Sequence, residues 1–260
     1  MILSSDYAPP PHPGAPVVVF LHAFPLDRTM WRAQGEALRA YAGVLAVDCR
    51  GFGASAAPPG AASSFGVFAE DICETMDSLG IAKVVLAGCS MGGYTAFEFW
   101  RRHAGRVVGM ALCNTRAEAD TDAIRTRRAE QADRIRKEGT AFVADWAVEN
   151  LLSAATRETR PEVADAVRQT VLRARAESVV GALEALALRP DSTATLATIR
   201  VPVTVVVGEQ DTVTPLALAE TIASGIPGAQ LVMIPRAGHL SPMENPDAVS
   251  DAIRGVVGRV

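Results

Sequence analysis

The chain has little of what a nucleic-acid binder, a membrane protein or a disulfide-stapled protein needs. Lys and Arg total 25 against 29 Asp and Glu, a net charge of −4, so no basic excess exists to neutralise a phosphate backbone. No uncharged apolar stretch approaches the roughly 20 residues that span a bilayer. The opening Met1–Pro16 lacks the cationic start and continuous apolar run of a secretory signal, and the expected location is the cytoplasm, away from membranes. The four cysteines, Cys49, Cys73, Cys89 and Cys113, stand apart, without the close pairs of zinc ribbons, which favours reduced thiols and offers no metal site. What is present is apolar surface. Hydrophobic residues make up 49% and charged residues 21% of 260, with mean hydropathy +0.17, enough to offset the entropy of ordering the chain.

Short apolar or β-branched runs recur at Val17–Leu21, Val44–Asp48, Val84–Ala87, Val107–Leu112, Val203–Val207 and Gln230–Ile234, each with the pattern of a buried strand. Helical spacing fills the intervals at Met30–Ala40, Phe65–Leu79, Met91–His103, Leu216–Ala223 and Asp247–Val257. Strand and helix alternate, which predicts an α/β fold with a mostly parallel, doubly wound sheet. Ser63 and Ser64 precede one helix, while Thr214-Pro215 and Asn245-Pro246 each place a cap before a first-turn proline. From 115 to 190 the alternation stops, and an Ala-, Arg- and Glu-rich stretch carries helical spacing only. The expected organisation is a core of residues 1–114 and 191–260 with a helical cap, 115–190, inserted before the last strands. Ala141, Phe142, Trp146, Leu151, Leu152, Val163, Val167, Val171 and Leu172 either line the underside of that lid or pack it onto the sheet.

Gly88-Cys89-Ser90-Met91-Gly92 follows a strand and opens a helix, the G-x-S-x-G elbow in the strand–turn–helix context it requires. Such a turn strains the serine backbone and leaves no room for side chains two residues to either side. A serine hydroxyl is a weak nucleophile until a base takes its proton. Of the four histidines, His12 lies in a Pro-rich lead-in, His22 follows the first core strand, and His103 sits among arginines at a helix end. His239 falls in the loop after the last strand, at the sheet edge where ligands bind, and is the expected base. The orienting carboxylate belongs after an earlier strand, where Glu209 and Asp211 both stand. Cys89 adjoins the serine but, pointing the other way from a sharp turn, is expected to pack beneath it.

Together these motifs resemble the α/β-hydrolase superfamily over nearly the whole chain. The resemblance rests on Leu21-His22-Ala23-Phe24-Pro25, Asp48-Cys49-Arg50-Gly51-Phe52-Gly53-Ala54-Ser55, the elbow, and the loops holding Asp211 and His239. It implies the α/β-hydrolase fold and selects Asp211 over Glu209, in the chain order Ser90, Asp211, His239. It also implies that the backbone N–H groups of Phe24 and Met91 form the oxyanion hole, with Ala23 departing from the usual glycine. His22-Ala23-Phe24-Pro25-Leu26 is similar to the non-haem haloperoxidase and perhydrolase branch, and Leu112-Cys113-Asn114-Thr115 is similar to 3-oxoadipate enol-lactonases.

The expected activity is therefore a cofactor-independent serine hydrolase for small carboxylic esters or lactones. Perhydrolysis or carbon–carbon cleavage on the same residues, and a non-catalytic ligand-binding scaffold, are the alternatives. A homodimer stays open. Gly51-Phe52-Gly53 suggests dinucleotide binding only superficially, because Ala56 replaces the third glycine and Pro58-Pro59 bar a helix from following. A serine rather than an aspartate at the elbow disfavours alkyl-ester chemistry.

Overall fold

In the computed structural model, which describes residues 1–57 and 63–260, the apolar runs become adjacent strands. Ser5–Ala8 forms β1, Val17–Leu21 β2, Gly43–Val47 β3, Val84–Cys89 β4, Val107–Cys113 β5, Val203–Gly208 β6 and Gln230–Ile234 β7. Their order in the sheet is β1-β3-β2-β4-β5-β6-β7, with only β1 antiparallel to its neighbour. β2, β3 and β4 are buried throughout, as strands covered on both faces must be. Strand β1 escapes a periodicity reading because Ser-Asp-Tyr-Ala has no apolar run and is partly exposed.

Successive side chains of a strand point to opposite faces, and two apolar layers result. Val17, Val19 and Leu21 of β2 pack in one with Ile72 and Met76, on Phe65–Ser78 (α2), and with Phe97 and Phe99, on Met91–His103 (α3). Val18 and Phe20 pack in the other with Leu38 of Arg32–Leu38 (α1). Met30 and Trp31 lie in a 3₁₀ turn, Arg28–Trp31, ahead of α1. Each fully buried side chain of this size stabilises the fold by about 1.5–3 kcal/mol.

Between β5 and β6 run Asp122–Glu138 (α4), Ala141–Leu151 (α5), Ala154–Thr159 (α6), Pro161–Arg173 (α7), Ala176–Leu188 (α8) and the short Thr193–Leu196 (α9). Val143, Ala144, Ala147, Leu151, Val163, Val167 and Val171 of this helical insertion join the same apolar cluster as β2 and α1. Trp146 and Leu172, which the spacing placed on the inner face, are 36% and 44% exposed. In α5 the small residues Ala144 and Ala147 take the inner positions instead, where α5 packs on α7. The chain closes with Leu216–Gly225 (α10), Ser241–Glu244 (α11) and Pro246–Val257 (α12). Ser64 caps α2 and Asn245 caps α12, each accepting a backbone N–H. Thr214 does not cap α10; its hydroxyl is engaged elsewhere. Pro58 and Pro59 lie outside the described residues. No described helix is long and apolar enough to cross a membrane.

Candidate active site

Parallel register brings the carboxyl ends of β2, β4, β5, β6 and β7 to one edge, with Leu21 opposite Gly88, Cys89 opposite Cys113, Cys113 opposite Val206, and Gly208 opposite Ile234. The loops leaving these strands carry the candidate residues. Ser90 stands between β4 and α3 at φ 52°, ψ −110°, a conformation a non-glycine residue rarely adopts and that costs of order 1–3 kcal/mol. The surroundings enforce it. Its N–H donates to the Cys113 carbonyl at 2.9 Å, and its carbonyl accepts the Thr115 hydroxyl at 2.9 Å. A Cβ at Gly88 would collide with the Gly92 carbonyl, and one at Gly92 with the Leu21 carbonyl.

Asp211 leaves β6 and His239 leaves β7. His239 Nδ1 lies 2.9 Å from Asp211 Oδ2, with both side chains buried. Asp211 Oδ2 also accepts from Asn114 Nδ2 at 2.8 Å and from the Thr214 hydroxyl at 2.7 Å. Asp211 Oδ1 accepts the N–H groups of Val213 at 2.8 Å and Thr214 at 2.9 Å. Burial alone would push the Asp211 carboxyl up, but the His239 charge and hydrogen bond, aided by Thr214 and Asn114, outweigh it and hold it at about 2. A carboxylate beside Nδ1 makes that nitrogen the N–H donor and leaves Nε2 with its lone pair free. Glu209, the competing carboxylate, turns away to accept the Arg236 N–H at 2.9 Å.

The structure thus joins Asp211 to His239 and sets Ser90 on the same edge, where no hydrogen bond between Ser90 and His239 exists among the described residues. Such contacts frequently tighten only when substrate binds. Phe24 lies in the loop after β2, and Met91, within the elbow, is the first residue of α3. Among the described residues neither N–H donates to another group. His22 holds the Phe24 loop: its Nε2 accepts the Cys49 N–H at 3.0 Å and its Nδ1 donates to the Ala23 carbonyl at 3.0 Å. Burial lowers its pKa, against the raising effects of that carbonyl and Asp48, so the ring is neutral and structural. Cys89 is fully buried beneath the turn, and burial raises its thiol well above the ordinary value. It is inert as a nucleophile.

Asn114 and Thr214 are the residues that motif reading misses. Asn114 sits at φ 47°, and its amide bonds Asp211 and the Gly238 carbonyl while its oxygen accepts the Ser241 hydroxyl. The sequence marked it only within Leu112-Cys113-Asn114-Thr115. Gly51 and Gly53, at φ 91° and 49°, make a tight turn around Asp48, which accepts the Ala54 N–H at 2.8 Å; among the described residues up to Ala57 no helix begins there. Among the described residues no cluster of three or more His, Cys, Asp or Glu side chains is arranged to hold a metal ion.

Residues 16–246 match the family model described as alpha/beta hydrolase fold. The chain is 40% identical to a thermophilic esterase from Thermogutta terrifontis, solved with malate bound, with a TM-score of 0.93 over 97% of this chain and 92% of that one. It is 30% identical to the enol-lactonase from Burkholderia xenovorans, with a TM-score of 0.90 over 98% and 96% of the two chains. With 3-oxoadipate enol-lactonase 2 of Acinetobacter baylyi it shares 27% identity over 245 residues, 94% of this chain and 89% of the relative.

Proposed function

The chain belongs to the alpha/beta hydrolase family, and from that membership we propose that it is a serine hydrolase cleaving small carboxylic esters or lactones. The carrying observation is the buried 2.9 Å bond from His239 Nδ1 to Asp211, formed at the sheet edge that also presents the strained Ser90. His239 Nε2 accepts the Ser90 proton as the hydroxyl oxygen attacks the substrate carbonyl. The oxyanion is held by the Phe24 and Met91 N–H groups, donors whose individual loss costs about 3 kcal/mol of barrier lowering. The imidazolium then protonates the leaving alkoxide, and an acyl-serine remains. Water, deprotonated by the same nitrogen, hydrolyses it.

Asp211 keeps the imidazole in the required tautomer and stabilises its charged form. The helical insertion acts as the cap of this site, its inner face excluding water. The esterase and enol-lactonase relatives support carbonyl–oxygen cleavage as the reaction class. Purified protein is expected to hydrolyse p-nitrophenyl acyl esters or small lactones, and Ser90→Ala to abolish turnover. Near-normal activity in that variant would refute the assignment.

A further inference from the structure

Gly238, the residue that precedes His239, is held at both its carbonyl and its N–H. The carbonyl accepts from Asn114 at 3.1 Å, and the N–H donates to Glu244 Oε1 at 2.8 Å. The other oxygen of that carboxylate, Oε2, reaches into the insertion, where it accepts the Ser153 N–H at 2.8 Å and the Thr156 hydroxyl at 2.8 Å. Glu244 is 8% exposed, and these three partners are all uncharged donors. A buried carboxylate without a cation is costly to desolvate, so filling space does not account for it.

The seam around it is equally specific. Leu240 N–H donates to the Leu151 carbonyl at 3.1 Å, the Ser153 hydroxyl to the Arg236 carbonyl at 3.3 Å, and Arg160 to the Glu244 carbonyl at 2.9 Å. A Cβ at Gly238 would stand 2.7 Å from the Ser153 nitrogen, so only glycine lets the insertion come this close. We propose that Glu244 is a positioning residue, tying the His239 loop to the Leu151–Thr156 edge of the insertion so that the seating of the cap sets the direction of the imidazole. This rests on the reading of Ser90, Asp211 and His239 as the acyl-transfer residues.

An amide cannot substitute for the carboxylate. Glutamine has one acceptor oxygen, and its NH₂ would face either the Gly238 or the Ser153 N–H, so one arm is lost. The test compares wild type, Glu244→Gln and Thr156→Val on p-nitrophenyl acetate, with competent sites counted by end-point fluorophosphonate labelling and folding followed by thermal unfolding. Glu244→Gln is expected to lower kcat per labelled site about ten- to a hundredfold, the scale of a small misplacement of a reacting group, with KM little changed. Thr156→Val, which removes the insertion-side hydroxyl that donates to Glu244 and accepts the Ser153 hydroxyl, is expected to shift kcat the same way by a smaller factor. A merely structural Glu244 would lower the melting temperature and the number of labelled sites and leave kcat per site at the wild-type value, which overturns the proposal. If Glu244→Gln does not fold, wild-type kcat in Thr156→Val overturns it. Wild type that neither labels nor outperforms Ser90→Ala overturns the underlying reading as well, whereas labelled, active wild type with unaltered kcat in the variants strikes Glu244 alone.

Discussion

Asp211 receives five donors, two of them backbone N–H groups from its own loop, two from Thr214 and Asn114 and one from His239. The short side chain lets the loop N–H groups reach one oxygen while the other meets the imidazole. Asp211→Asn retains the shape but favours the wrong imidazole tautomer, and kcat is expected to fall about 10⁴-fold, measurable on the same ester. The carboxyl is held at about 2, so loss of activity on acidification above about pH 4 belongs to another group. Stability follows the same shift. A pKa lower in the folded chain than the unfolded value of about 3.9 adds roughly 2–3 kcal/mol, present above that value and lost as pH falls towards about 2. Urea unfolding should find the stability gap between wild type and Asp211→Asn narrowing over that interval, and a gap independent of pH would contradict the linkage.

At the scale of elements, the elbow between β4 and α3 works because α3 starts against the end of β2. The Leu21 carbonyl occupies the space where a Cβ on Gly92 would go, and the Gly92 carbonyl does the same for Gly88. Gly92→Ala must push β2 and α3 apart, and roughly 3 kcal/mol of stability should be lost, read as a lower urea midpoint with an unchanged slope. A midpoint equal to that of wild type would show the contact to be yielding. The glycine spacing was legible in the chain because this constraint is local. Strand β1 was not, since four partly exposed residues become a strand only through the open edge of β3. Thr214 stands where the sequence pattern puts a cap for α10, but its hydroxyl donates to Asp211 and lies 3.2 Å from His239 Nδ1.

At the scale of the whole molecule, the insertion enters and leaves the core through two chain segments fastened together. Ser192 N–H donates to the Ala117 carbonyl at 2.8 Å and Ala119 N–H to Asp191 at 3.0 Å. Buried Asp120 pairs with Arg116, Arg128 and Arg189, and Arg189 also lies over the Tyr94 ring, 4.3 Å from its centre. Burial would raise the Asp120 carboxyl, but Arg128 and Arg189 outweigh it and hold it below its ordinary value. Asp120→Asn leaves three guanidinium groups around an uncharged amide, and a loss of about 3–5 kcal/mol is expected, as when a buried pair loses one partner. Chemical denaturation of the two proteins side by side measures it, and a loss below about 1 kcal/mol, the scale of an exposed pair, would show that the cluster is solvent-screened.

Sequence alone determined the alternation of strands and helices, the helical break after β5, the strand–turn–helix at Ser90 and the place of His239 in the loop after β7, because each depends on spacing within a few residues or on chain order. Tertiary structure decided which side chains of the insertion face inward, that Asn114 and Thr214 complete the surroundings of Asp211, and that Glu244 reaches both the His239 loop and the insertion. Those outcomes join residues such as Asn114 and Asp211, 97 positions apart, and Ser153 and Glu244, 91 apart. No local pattern encodes such pairs. A side chain's hydrogen-bond partner at that separation is chosen by how the strands register and how the helices seat against them, which only the folded chain specifies.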